Sequence, residues 1–93
     1  MAPTWDNSAH IRERARARLR RAAGPCWICG GVIDYSVKSP DPMSFELDHK
    51  KPKELFPELA FEPTNWAASH RKCNRAKSNR EFAPIIRRSG ALR

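Results

Sequence analysis

Cys26-Trp27-Ile28-Cys29-Gly30-Gly31 sets two thiols on one tight turn, and His70-Arg71-Lys72-Cys73 repeats the same spacing with an imidazole and a third thiol. Zinc prefers four tetrahedral nitrogen or sulfur ligands, and a closed set of three cysteines and one histidine is a common structural site. Each pair lies on one turn of backbone, so a single ion would join segments that residues 30–69 keep apart in sequence. The scheme uses all three cysteines of the chain. A lone CxxC also suits a redox pair, but the βαβ pattern of thioredoxin-like proteins is missing around it. His70 could instead be a surface or a catalytic histidine. It pairs with Cys73 as Cys26 pairs with Cys29, and that favours zinc.

Such a tie answers a need of the whole chain. At 93 residues, 40% hydrophobic and with eight prolines, it is one small domain with a modest core. A metal or disulfides are expected to supplement that core. Three cysteines cannot close into a complete disulfide set. No apolar run approaches a membrane span, and the N-terminus lacks the apolar core of a secretory signal. The expected compartment is therefore the cytoplasm, where thiols more often bind metal than pair. The net charge of +8 points to a polyanionic partner, most often nucleic acid.

Outward from the first pair, residues 1–7 read as a loose tail. Ser8 is placed to cap a helix that runs to about Ala23, where Gly24-Pro25 stops it. Ile11, Ala15, Leu19 and Ala22 share one face of it. Arg12, Arg14, Arg16, Arg18, Arg20 and Arg21 occupy much of the rest, suited either to a phosphate backbone or simply to solvent. A short strand is expected over Val32–Tyr35, a loop over 36–43, and a strand where Phe45, Leu47 and His49 alternate with Glu46 and Asp48. Residues 50–64, with Pro52, Pro57 and Pro63, should be irregular. Trp66–Ser69 reads as a second short strand, and a basic helix is expected from about Arg71 to Phe82, before Pro84. Trp5, Trp27 and Trp66 suit packing better than base stacking.

Between the ligand pairs lies a second group of residues. Asp48-His49 closes a strand, Asn65 follows, and Asn74 comes directly after Cys73. Phosphodiester hydrolysis needs a deprotonated water, a stabilised leaving oxygen and neutralised charge on phosphorus. A histidine suits the first task. Asp48 and Asn74 offer the hard oxygens that Mg²⁺ or Mn²⁺ prefers. Adjacent strand residues point to opposite faces, so Asp48 and His49 can share a site only if the strand ends or twists there.

The ordered pattern Cys26-x-x-Cys29, Leu47-Asp48-His49-x-x-Pro52, Asn65, His70-x-x-Cys73-Asn74-x-x-Lys77 resembles the HNH endonucleases. The resemblance covers roughly residues 24–80. It implies an α+β chain built as a small ββα-metal domain, here with an N-terminal basic helix. On this resemblance His49 would be the general base. Asp48 and Asn74 would bind the catalytic divalent ion. Asn65 would hold the loop that aims His49, and Cys26, Cys29, His70 and Cys73 would bind structural zinc. The last motif position is usually histidine, and the HNH domains of CRISPR-associated nucleases also carry asparagine there. His70 stands where a cysteine is usual.

The implied organisation is an N-terminal tail and basic helix (1–23), a nuclease domain (24–82) and a basic C-terminal tail (83–93). Lys50, Lys51, Arg71, Lys72, Arg75, Lys77 and Arg80 flank the expected site and are candidates for DNA phosphates. Stand-alone proteins of this kind resemble those of bacteriophages and mobile elements, and some phage members act beside a terminase, so a terminase or other targeting partner is a further expectation. Two other functions compete with an endonuclease. One is a non-catalytic, zinc-finger-like module that binds nucleic acid. The other is a zinc adaptor that binds a protein.

Overall fold

Two strands and two helices carry the chain between residues 3 and 77, the span that the computed structural model describes. Helix α1 is Ala9–Ala22, strand β1 Phe45–His49, strand β2 Trp66–His70 and helix α2 Arg71–Lys77. The strands pair antiparallel, from Phe45 opposite His70 to His49 opposite Trp66. Short 3₁₀ turns at Pro57–Leu59 and Pro63–Asn65 break up the proline-rich connection between them. This is the α+β arrangement expected from the sequence. The helix expected to continue to Phe82, the 83–93 tail and Arg80 lie outside the described residues.

Helix α1 is anchored by its apolar face. Ala15 is buried, and Ile11 and Leu19 are half-buried. Ile11 and Ala15 join a cluster with Trp5, Ala60 and Trp66, whereas Leu19 joins a second one around Cys26, Ile28, Ile33, Phe45 and Ala68. Leu47 packs against both, so β1 runs between them. Ala22, in the last turn, is exposed. Ser8 occupies the N-cap position, but its hydroxyl donates to the Thr4 carbonyl (2.6 Å) and caps nothing. At the other end Ala23 adopts the left-handed conformation (φ 52°), and its N–H closes on Leu19 at 3.0 Å.

Helix α2 follows β2 with no intervening loop. Its first amides would lack intrahelical partners. The 36–44 segment supplies them: Arg71 donates to Ser44 (2.8 Å) and Lys72 to Pro42 (2.8 Å).

Two further sequence expectations fail. Val32–Tyr35 forms no strand: Val32 is exposed, and its carbonyl is taken by the His70 ring, while Tyr35 bonds the Gly24 carbonyl. The segment serves the metal-ligand turn rather than a ladder. Nor are residues 5–7 a loose tail. They form a 3₁₀ turn that buries Trp5 against His49, Phe61 and Trp66. A large indole at the end of a polar segment gains more by burial than the tail loses in freedom. All three tryptophans pack within the fold. No helix among the described residues is long and apolar enough to cross a membrane.

Candidate active site

The two ligand pairs meet where the Cys26–Gly31 turn abuts the β2–α2 junction. Cys26 Sγ, Cys29 Sγ, His70 Nδ1 and Cys73 Sγ all lie within 4.8 Å of one another. His70 Nδ1 is 3.4 Å from Cys29 Sγ and 3.8 Å from Cys73 Sγ. Ligands around a tetrahedral zinc stand about 3.5–3.8 Å apart given its usual bond lengths, so this cluster can hold the ion. The His70 tautomer also fits. Nε2 faces the Val32 carbonyl at 3.0 Å, and a carbonyl can only accept, so Nε2 carries the proton and Nδ1 turns its lone pair to the sulfurs. Backbone N–H groups of Cys29 and His70 point at Cys26 Sγ. Burial raises the Cys26 thiol, but these hydrogen bonds outweigh it and its pKa falls. Burial, then the charge of Cys26, pushes Cys73 up to about 12. The three sulfurs can all be thiolates together only with a cation among them.

His49 is the last residue of β1 and is buried. Its Nε2 lies 2.9 Å from the Ala60 carbonyl and so donates to it, leaving Nδ1 as the basic nitrogen. The Trp5 ring meets the imidazole edge-on, with centroids 4.5 Å apart. Burial is the main reason the His49 pKa lies below the ordinary histidine value. The Ala60 carbonyl and Asp48 oppose that shift, and Lys53 and Lys77 add to it.

Asn65 is buried and bonds only backbone. Its Oδ1 accepts from Lys51 N–H (2.8 Å), and its Nδ2 donates to the Lys51 (3.1 Å) and Leu59 (3.2 Å) carbonyls. One amide thus ties the chain leaving His49 to the segment that presents the Ala60 carbonyl.

Asp48 and His49 do reach one site, because β1 ends there. Both line a cleft of about 340 Å³ together with Asn74, Trp5, Lys53 and Lys77. Asp48 Oδ2 accepts from the Trp27 indole at 2.8 Å, and Oδ1 faces the Lys77 ammonium at 3.4 Å. Burial pushes the Asp48 carboxyl above its ordinary value despite both partners. Asn74 donates Nδ2 to Glu46 Oε1 at 2.8 Å, which fixes the orientation of its amide.

Three residues of this region were not singled out from the sequence. Glu46 orients Asn74 and also pairs with Arg75 (2.9 Å) and Arg71 (3.6 Å). Its place two residues before Asp48, on the same strand face, was the available signal. Lys53 and Trp5 line the cleft without belonging to any local pattern.

The basic candidates divide. Lys50, Lys51, Lys72 and Arg75 are exposed, and Arg71 is half-buried. Lys77 is not a surface cation: its side chain is 1% exposed and its ammonium lies between Asp48 and the His49 carbonyl (3.2 Å). Lys77 lines the cleft, with its ammonium committed to these two oxygens.

The family model for HNH endonucleases matches residues 26–80, from the first cysteine through α2. No curated protein and no solved structure matches the chain. A Cys₃His cluster joins the two ends of that span, and β1, β2 and α2 bring Asp48, His49 and Asn74 to one cleft between them, so on both its sequence and its fold the chain belongs to the HNH endonuclease family.

Proposed function

We propose that the protein is a metal-dependent endonuclease that hydrolyses DNA phosphodiester bonds, with His49 as the general base. One observation carries this reading: the His49 ring is held by the Ala60 carbonyl and Trp5, which leaves Nδ1 as its basic nitrogen, and His49 lines one cleft with Asp48 and Asn74. In the reaction, Nδ1 takes a proton from water, the water oxygen bonds to phosphorus, and one bridging oxygen leaves with the electron pair of its bond. Asn65 and Ala60 keep the imidazole aimed. A divalent ion such as Mg²⁺ or Mn²⁺, held by Asp48 and Asn74, would supply the positive charge that the phosphate and leaving oxygen require. Cys26, Cys29, His70 and Cys73 hold zinc in a purely structural role. Residues 24–82 form the nuclease domain, and Lys50, Lys51, Arg71, Lys72 and Arg75 steer the phosphates.

The test is a supercoiled plasmid incubated with zinc-loaded protein. Nicked or linear product is expected only when Mg²⁺ or Mn²⁺ is added. The competing reading, a nucleic-acid-binding module without catalysis, has one observation in its favour: Asp48 already holds Trp27 and Lys77. A folded, DNA-binding protein that leaves the plasmid intact at every ion concentration would establish that reading instead.

Lys77 gives a second test. Under the nuclease reading its ammonium neutralises a carboxylate that the divalent ion also needs. Lys77→Met leaves a buried acid short of a partner, a loss of order 3 kcal/mol where charge stays uncompensated. The variant is expected to melt earlier than wild type and to regain stability when Mn²⁺ is added, by more than wild type gains. Equal Mn²⁺ responses in thermal melts would remove Asp48 from the ion site.

A further inference from the structure

The six arginines of α1 are not equivalent. Arg12 is structural, since Nη1 donates to the carbonyls of Trp5 (2.8 Å) and Asp6 (2.6 Å). Arg14, Arg18 and Arg21, at helical spacings of four and three, line a groove floored by Ile11, Ala15 and Trp66. Neither Asp48, His49 nor Asn74 borders that groove. Arg16 and Arg20, one turn apart, lie along a different groove of about 460 Å³ whose far wall is Arg75 and Asn74 of α2.

This second groove adjoins the catalytic cleft, for Trp5, Leu47 and Asn74 line both. Arginines from two helices therefore line a groove beside the proposed site of cleavage. Glu46 is the one acidic residue among the described residues that line it, and Asn74, Arg71 and Arg75 already engage it. Arg20 is held by its face, with its guanidinium 4.9 Å from the centre of the Phe45 ring. Stacking of that kind fixes the group and leaves its N–H edges for an acceptor. Arg16 pairs with Glu13 at 3.0 Å, but Glu13 is well exposed and Arg16 partly so, and such a surface pair exchanges readily for a phosphate.

We infer that the DNA strand runs from the catalytic cleft along this groove, its phosphates received by Arg16, Arg20 and Arg75, with Arg14, Arg18 and Arg21 off the path. The inference rests on the nuclease reading and adds to it a direction for the substrate. It makes the N-terminal helix part of the DNA-binding surface and separates two sets of arginines that composition cannot distinguish.

The experiment measures binding of a short duplex to zinc-loaded full-length protein by fluorescence anisotropy, over a range of salt and without added Mg²⁺ or Mn²⁺. Two double variants are compared with wild type: Arg16→Ala/Arg20→Ala and Arg14→Ala/Arg18→Ala. Each removes two charges from the same helix, so a general charge effect is equal in both. Loss of two phosphate contacts should lower the salt slope by about 2 and the affinity on the order of tenfold in the first variant only. Equal slopes in the two variants, or a larger loss in the second, would overturn the assignment. Because Arg20 packs on Phe45, the single reversals Arg16→Glu and Arg14→Glu repeat the comparison on side chains outside the core. Plasmid cleavage by the same wild-type preparation with Mg²⁺ separates the two claims. Wild type that binds but never cuts defeats the nuclease reading. Wild type that cuts, with variants alike in slope, defeats the groove. Absence of salt-dependent binding in wild type defeats both.

Discussion

His49→Ala is expected to lower plasmid cleavage by about 10²–10⁴-fold, the contribution of a positioned general base. The expectation rests on geometry more than on residue type. Nε2 is committed to the Ala60 carbonyl, so proton abstraction falls to Nδ1 alone, and Trp5 on the ring edge prevents it from turning away. Removing the ring also leaves a cavity beside Trp5, so zinc content and melting temperature must be measured on the same sample. The Ala60 carbonyl keeps a donor in the variant, the Trp66 indole at 2.8 Å, which limits the structural loss. The pH profile tests the same assignment. Burial first, with Lys53 and Lys77, holds the folded-state pKa of His49 below the ordinary 6.5. The neutral, basic form therefore persists to lower pH than it would in a free imidazole, and the acid limb of the rate should fall below 6.5. The linked stability has the same sign. A depressed histidine contributes fully above its unfolded pKa, and that contribution is lost as pH falls from there through the folded value. Cleavage by His49→Ala within a few fold of wild type, from an equally folded sample, would end the role of His49 as base.

The parts of this molecule that were legible in the sequence are those with a local period or a fixed spacing. Phe45 to His49 shows period-two alternation, α1 carries Ile11, Ala15 and Leu19 on one face, and the ligand pairs repeat one spacing. The failures involve contacts between segments far apart in sequence. Trp5 has no periodic neighbours, so nothing local reveals that it packs on His49. Val32 to Tyr35 has strand composition, but β2 has β1 on one side, and on the other the knuckle reaches it with Trp27 N–H on the Ala68 carbonyl. By charge alone Lys77 reads as a surface cation, since lysine is rarely enclosed without a partner. Its register carries the opposite signal: it follows Cys73 by four residues, so it shares the face of α2 that carries that metal ligand inward. Glu46 escaped notice because its partners, Asn74, Arg71 and Arg75, belong to a helix whose docking on β1 the sequence does not state.

Withholding zinc is expected to unfold the chain, with consequences that reach the catalytic cleft. Structural zinc contributes on the order of 10–16 kcal/mol of apparent binding energy in small finger peptides, whereas whole domains are stable by only about 5–15 kcal/mol. Cys26 is fully buried at the centre of one of the two apolar clusters, so the ligand set and the core are the same structure here. Without a cation, burial and neighbouring sulfur charge push the Cys73 thiol up to about 12, so the full thiolate set does not form. Trp27 extends the consequence. It lies inside the knuckle, its N–H holds the Ala68 carbonyl at 2.9 Å, and its indole holds Asp48 at 2.8 Å. A knuckle that opens therefore releases the carboxylate proposed to bind the catalytic ion. Protein refolded without zinc, or Cys26→Ser, should show no cooperative melt by circular dichroism, and added Zn²⁺ should restore it in the wild type only. Cobalt substituted for zinc should give the absorption of a tetrahedral thiolate site, a readout independent of cleavage. A zinc-free wild type that melts cooperatively at the temperature of the loaded protein would show that the two apolar clusters hold the fold alone, and the link from the knuckle through Trp27 to Asp48 would then lose its energetic basis.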